Sequence, residues 1–133
     1  MSKKTTYIIL VIAIMAIIGM YFYNKYNVAP TIDIAKLEVV DQDTVKFDIT
    51  SLKGKKVIVS FYASWCPNCI VELRTLNKIK NHKLQGVEVL AITDESLEKL
   101  VAFKTKTQYP FTFLTLVGSF PEMGIASIPT TYL

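Results

Sequence analysis

Residues 7–23 read YIILVIAIMAIIGMYFY, 17 positions without a charge, and nothing else in the chain restricts the architecture as strongly. Coiled as a helix, the run spans roughly 26 Å at ~1.5 Å per residue, close to the hydrocarbon thickness of a bilayer. It predicts one transmembrane helix, extended by Thr5 and Thr6, with Tyr7, Tyr21, Tyr23 and Tyr26 where interfacial aromatic rings anchor both ends. A cleaved signal peptide and a buried core helix are the competing readings. The run is longer than a signal core of about 7–15 residues, and no small-x-small cleavage site follows it before Lys25. Its lack of polar periodicity argues against a core helix. Lys3 and Lys4 precede the run and only Lys25 follows closely, which keeps the N-terminus cytoplasmic. Residues 1–26 are thus read as a cytoplasmic N-terminus and signal anchor in the cell membrane, meeting the lipid bilayer through residues 7–23. Residues 27–36 form a linker, and residues 37–133 form one extracytoplasmic domain.

The net charge of +4 suggests nucleic acid until it is located. Three lysines flank the anchor with no acid beside them, which leaves twelve cations against eleven anions, a remainder of +1. A body so nearly neutral, without an arginine-rich tract, lacks the clustered cations that phosphate binding needs, so nucleic acid is set aside as a partner. Two cysteines exclude a disulfide scaffold, and one histidine leaves too few ligands for a closed Cys/His zinc site.

Within the body, residues 37–40 and 44–47, separated by Asp41-Gln42-Asp43, predict a small hairpin. Residues 57–63 (VIVSFYA) form a nearly unbroken apolar run, expected of a parallel strand buried on both faces. The periodicity turns helical over residues 67–80, with Ile70, Leu73, Leu76 and Ile79 on one stripe, until Gly86 breaks the chain. A second strand follows at residues 87–92. Thr93, Asp94 and Glu95 offer capping oxygens and first-turn acid to a helix that runs to about Thr107, with Leu97, Leu100 and Val101 facing inward. Strand, helix, strand, helix implies a βαβ unit of the α/β class, whose functional turn lies at the carboxyl end of the central strand.

That turn holds Ser64-Trp65-Cys66-Pro67-Asn68-Cys69. Cys66 is expected at the helix N-cap, where free backbone amides and the positive end of the helix dipole stabilise a thiolate. Pro67 suits the first helical turn because its missing N–H has no partner there. Cys69, one turn on, is expected to be the more buried. The exposed Cys66 then acts as nucleophile in disulfide exchange and Cys69 resolves the mixed disulfide, with no cofactor and no metal.

Trp65-Cys66-Pro67-Asn68-Cys69 resembles the WCxxC site of the thioredoxin superfamily, and Ile128-Pro129-Thr130 resembles that family's cis-proline loop. The combination of anchor, hairpin, FYASWCPNC and SIPTTYL is most similar to the membrane-tethered TlpA/ResA branch. The resemblance implies a thioredoxin-like α/β fold and a substrate groove formed by Trp65, Pro67, Ile128 and Pro129. It implies that Glu72, three residues after the second cysteine, exchanges a proton with the buried sulfur; a solvated surface glutamate is the alternative. Ser60 stands where thioredoxin carries a buried aspartate, so that proton route is absent. The implied partners are exported proteins with disulfides or thiols, as in cytochrome c maturation, and a CcdA-like membrane reductase. Ile128 before the proline resembles the reducing thioredoxins, which favours reductase over a dithiol oxidase of the DsbA type.

An inactive or partner-dependent binding module remains open. So does a copper metallochaperone, although that function resembles a CxxxC pair with a distant histidine, whereas His82 lies about four turns from Cys66. A structural disulfide closes too small a loop to stabilise much. The proline-threonine-cysteine pattern of peroxiredoxins is absent. By the resemblance the chain stops short of a final β-hairpin and C-terminal helix, about 25 to 35 residues at ordinary element lengths. An exposed face, an unpaired strand edge and marginal stability are the expected consequences.

Overall fold

The structure, a computed structural model, describes residues 2–25 and 32–133. Helix α1 (Lys3–Lys25) contains the apolar run. Its segment Lys3–Tyr23 has a mean hydropathy of 2.3 and none of it is buried, so it is long and apolar enough to cross a membrane. The expected anchoring role of Tyr26 and the first half of the expected linker, residues 27–31, lie outside the described residues. The linker's last part, Ile34–Lys36, is a single 3-10 turn.

The body is built on strands β1 (Val39–Val40), β2 (Lys56–Phe61), β3 (Val87–Thr93), β4 (Thr112–Leu116) and β5 (Thr130–Tyr132), in the order β1-β4-β3-β2-β5. The three inner strands are parallel, whereas β1 and β5 run antiparallel at the edges. Alternation along the inner strands divides the core in two. Ile58, Tyr62, Val89 and Ala91 join one cluster; Val59, Phe61, Leu90 and Ile92 join the other. The unbroken apolar run of β2 is thus explained by burial on both sides.

Helices α2 (Pro67–Lys83) and α3 (Leu97–Thr107) supply Cys69, Leu73, Leu100 and Phe103 to the first cluster. Opposite them, the chain entering β1 and the segment after β4 bring Leu37, Phe120 and Ile125 to the second. Phe61 meets Phe120 and Tyr132 edge-on, with ring centroids 5.8 and 6.1 Å apart. A cleft of about 750 Å³ opens beside this cluster, lined by Ile34, Ile49, Leu52, Val57, Val59 and Tyr132 among others. Lys53, Lys55 and Lys56 also line it.

Several expectations need correction. Residues 44–47 form no strand of their own but return antiparallel beside β1, with a bridge from Val40 to Lys46 and bonds from the Phe47 N–H to the Val39 carbonyl at 2.9 Å and from the Asp41 N–H to the Val45 carbonyl at 3.0 Å; β1 also pairs with β4, Val39 opposite Leu116. The return is tight: the Asp41 carboxylate accepts the Asp43 N–H at 2.9 Å and the Val45 N–H at 3.0 Å, and Thr44 turns with a φ of +62°. Helix α2 continues past residue 80 to Lys83 and takes in His82, which is exposed. Helix α3 begins two residues after Glu95, with Ser96 as N-cap, and its inward face is Leu100 and Phe103, while Val101 is exposed. That face is set by the i, i+3 spacing of the two buried residues. Finally, a strand does follow Pro129: β5 pairs with β2, Thr130 opposite Phe61.

Because Phe61 is fully buried between β5 and the segment after β4, Phe61→Ala should lower stability by about 3–5 kcal/mol through lost contacts and a cavity. Urea unfolding followed by far-ultraviolet circular dichroism measures it, and a loss below about 1 kcal/mol contradicts this packing.

Candidate active site

The site begins where β2 stops. Tyr62 donates its N–H to the Ile92 carbonyl at 2.9 Å, extending the parallel ladder by one bond, and Cys66 donates to the Ala63 carbonyl at 3.1 Å, closing the turn into α2. Cys66 is the N-cap, with extended backbone (φ −90°, ψ 107°), and Pro67 opens the helix as expected. The Cys69 N–H donates to the Cys66 Sγ at 3.2 Å, so a free amide of the first turn points at the sulfur.

Cys66 and Cys69 are joined as a disulfide, their Cα atoms 5.3 Å apart. The expected order of accessibility holds, with Cys69 at 0% and Cys66 at 6% exposure. The expectation of an exposed Cys66 is corrected, however, because in the bonded form its sulfur folds over the helix end toward Cys69. Trp65 is 70% exposed, so its ring does not pack the loop from within. Pro67 and Asn68 are exposed beside it.

The Ile128–Pro129 peptide bond is cis. Ile128 packs against both core clusters, and the next residue but one, Thr130, pairs with Phe61 at the carboxyl end of β2. The proline loop is therefore tied to the strand that delivers the cysteines. Glu72 lies one turn beyond Cys69, and its observed partner is the Thr131 hydroxyl, which donates to Oε1 across 59 positions of sequence. Thr131 is a residue that sequence reasoning missed.

Glu95 was also missed in this role. Its side chain is 7% exposed and accepts the Ser64 N–H at 2.6 Å and the Ser64 hydroxyl at 2.9 Å. Convergence of the β2–α2 and β3–α3 turns at the carboxyl ends of parallel strands was the one signal that could have found it. Ser60, in the position read as lacking an aspartate, is 1% exposed with its hydroxyl unpaired among the described residues.

Residues 28–115 match the AhpC/TSA family. The chain belongs to the AhpC/TSA family. The thiol-disulfide oxidoreductase ResA of Oceanobacillus iheyensis is 31% identical over 116 residues, covering 83% of this chain and 59% of that protein. ResA of Bacillus subtilis is 24% identical over 146 residues, covering 100% of this chain and 81% of that protein. A thiol:disulfide interchange protein of Chlorobium tepidum, described as a thioredoxin family protein, superposes with a TM-score of 0.58 at 26% identity over 79% of this chain and 78% of that one. A thioredoxin-related protein of Neisseria meningitidis gives 0.61 at 21% identity over 71% and 76%. The fold is thioredoxin-like, as the cysteine and proline motifs implied.

Tyr62 carries the clearest electrostatic perturbation near the site. Burial, and secondarily the charge of Glu95, push its phenol well above its ordinary range, and its hydroxyl has no hydrogen-bond partner among the described residues. A phenol kept neutral by folding contributes stability that is complete below the unfolded value near pH 10 and is lost as pH rises through that region. Tyr62→Phe should therefore change stability by less than about 1 kcal/mol at pH 7, since no bond is lost. It should also flatten the alkaline limb of the stability profile. Urea midpoints at pH 7 and near pH 11 check both, and an unchanged alkaline slope contradicts the assignment.

Proposed function

We propose that this chain is a membrane-anchored, extracytoplasmic thiol–disulfide oxidoreductase that reduces disulfides in exported proteins. The observation that carries the reading is the Cys66–Cys69 pair at the amide end of α2, with one amide directed at the Cys66 sulfur. The names of the relatives point the same way. The chain spans 59% of the first of them, so activity, substrate and partner are all part of the proposal.

In the reduced protein the Cys66 thiolate attacks a substrate disulfide, forming a mixed disulfide and releasing one substrate thiolate. Cys69 loses its proton and attacks Cys66 Sγ, which forms the internal disulfide and releases the second substrate thiolate. Two electrons pass to the substrate, whose two sulfurs take up protons. The amide end of the helix lowers the cost of the Cys66 thiolate. Glu72 exchanges the Cys69 proton from one turn away, held at its other side by Thr131. Trp65, Pro67, Ile128 and Pro129 line the groove, where an extended substrate pairs with the proline loop as an added strand. The internal disulfide is then reduced by a CcdA-like membrane dithiol reductase. Apocytochrome c, or another protein of the envelope, is the substrate class.

Helix α1 holds the body at the membrane, with Lys3 and Lys4 on the cytoplasmic side. A membrane-impermeant maleimide added to intact, reductant-treated cells should label Cys66. Labelling only after lysis overturns the topology.

Cys66→Ala should abolish reduction of a protein disulfide, and Cys69→Ala should accumulate a mixed disulfide that dithiothreitol dissolves. Turnover by Cys66→Ala overturns the mechanism. The direction of electron flow is read from the equilibrium of the pair with glutathione. A potential near the roughly −270 mV of thioredoxin fits a reductase, whereas one near about −120 mV belongs to a dithiol oxidase.

A further inference from the structure

Glu95 sits between β3 and α3 but does not cap the helix. Ser96 is the N-cap of α3, and the acid in its first turn is Glu98. Both oxygens of Glu95 are directed instead across the carboxyl end of the sheet: Oε2 accepts the Ser64 N–H at 2.6 Å, and Oε1 accepts the Ser64 hydroxyl at 2.9 Å. The Thr93 hydroxyl donates to Oε2 at 3.5 Å and accepts the Glu95 N–H at 3.3 Å, which fixes the base of the side chain. Lys99 approaches Oε1 at 3.4 Å, but its own side chain is 62% exposed against 7% for Glu95. Tyr62, the residue after β2, feels the same charge.

A carboxylate this buried is tolerated only where its lone pairs are used. Here two of them hold the main chain and side chain of the residue two positions before Cys66. The turn between β2 and α2 contains exposed Trp65; its end is closed by the bond from Cys66 to Ala63, and the clamp on Ser64, across 31 positions of sequence, is the side-chain tie that joins it to the β3–α3 turn.

We propose that Glu95 is a positioning residue of the disulfide site: its carboxylate clamps Ser64 and thereby fixes the loop that presents Cys66, while its negative charge disfavours the thiolate and biases the pair toward the disulfide. The inference rests on the oxidoreductase reading, since it assigns how that site is held. The bias acts wherever the reduced pair carries a thiolate, because an anion held on the residue two positions before Cys66 raises the free energy of that anionic form.

The test separates the two contributions. Glu95→Ala removes both clamp bonds and the charge. Glu95→Gln keeps an oxygen for the Ser64 N–H and an amide for the Ser64 hydroxyl, and removes only the charge. The full chain in detergent is assayed with oxidised glutathione, the protein dithiol giving two electrons to form the internal disulfide and two glutathione thiols. Glu95→Ala is expected to slow this exchange by about tenfold or more, and Glu95→Gln to recover it to within about threefold of the parent. At equilibrium Glu95→Gln is expected to hold the dithiol in about tenfold greater proportion than the parent does.

Exchange by Glu95→Ala within about twofold of the parent overturns the clamp, as does Glu95→Gln no faster than Glu95→Ala. An unchanged glutathione equilibrium in Glu95→Gln overturns the charge bias. Should Glu95→Ala fail to fold, Ser64→Ala removes the hydroxyl bond alone and is expected to slow exchange several-fold; a rate equal to the parent's then overturns the clamp. A parent chain that does not exchange with glutathione at all rejects the oxidoreductase reading itself, and the role given to Glu95 falls with it.

Discussion

Parallel pairing of β2 with β3, from Lys56 opposite Val87 to Phe61 opposite Ile92, is the constraint on which the rest of the body depends. It aligns the carboxyl ends of two strands, and the bond from Tyr62 to Ile92 carries the alignment one step further. Two turns with no sequence relation are brought face to face as a result. One carries Ser64, Trp65 and Cys66; the other carries Thr93, Asp94 and Glu95. The edge strand β5 adds a third component by pairing antiparallel with β2, which brings the segment after Pro129 to the same end of the sheet. A slip of one residue in the β2–β3 register would turn Ile58 and Tyr62 away from the helices and break the alignment of Ser64 with Glu95 together.

What was legible in the sequence follows from the range of the interactions involved. The buried strand, the helix after Pro67 and the N-cap position of Cys66 are encoded within a few residues, and each stands where the pattern put it. The proline motif also marked its place, although its cis geometry came from resemblance. The small hairpin is legible only in part: the return of residues 44–47 beside β1 is local, whereas the ladder of Val39 and Val40 with Leu116 and Thr115 joins segments far apart along the chain. Val101 was placed inward by its apolar character alone, yet the inward face of α3 is chosen by the phenylalanine two residues on. The bonds Thr131–Glu72 and Glu95–Ser64 join hydrophilic residues over long separations and leave no local periodicity to read.

The two sheet faces are unequally covered. On one, α2 and α3 lay a continuous apolar layer over β2, β3 and β4, and the cysteines belong to it. On the other, the cover consists of short 3-10 turns and irregular chain, and the cleft beside Val57, Val59 and Tyr132 keeps apolar side chains near solvent. The disulfide is thus held on the more continuously covered face. Edge strand β5 has three residues with Thr131 exposed, and the Thr131–Glu72 bond ties it to the helix face that carries the cysteines.

Two electrostatic influences of opposite sign meet at Cys66. The amide end of α2 favours the thiolate, as the Cys69 N–H directed at its sulfur makes concrete. The Glu95 carboxylate, held on the residue two positions earlier, opposes it. Neither can be moved independently of the fold, since one belongs to the helix that Pro67 initiates and the other to the turn that β3 delivers. A thiol–disulfide site needs both: a thiolate stable enough to attack, and a reduced state unstable enough to give its electrons away. The balance is set by where the carboxyl ends of two parallel strands place a helix terminus and one buried acid.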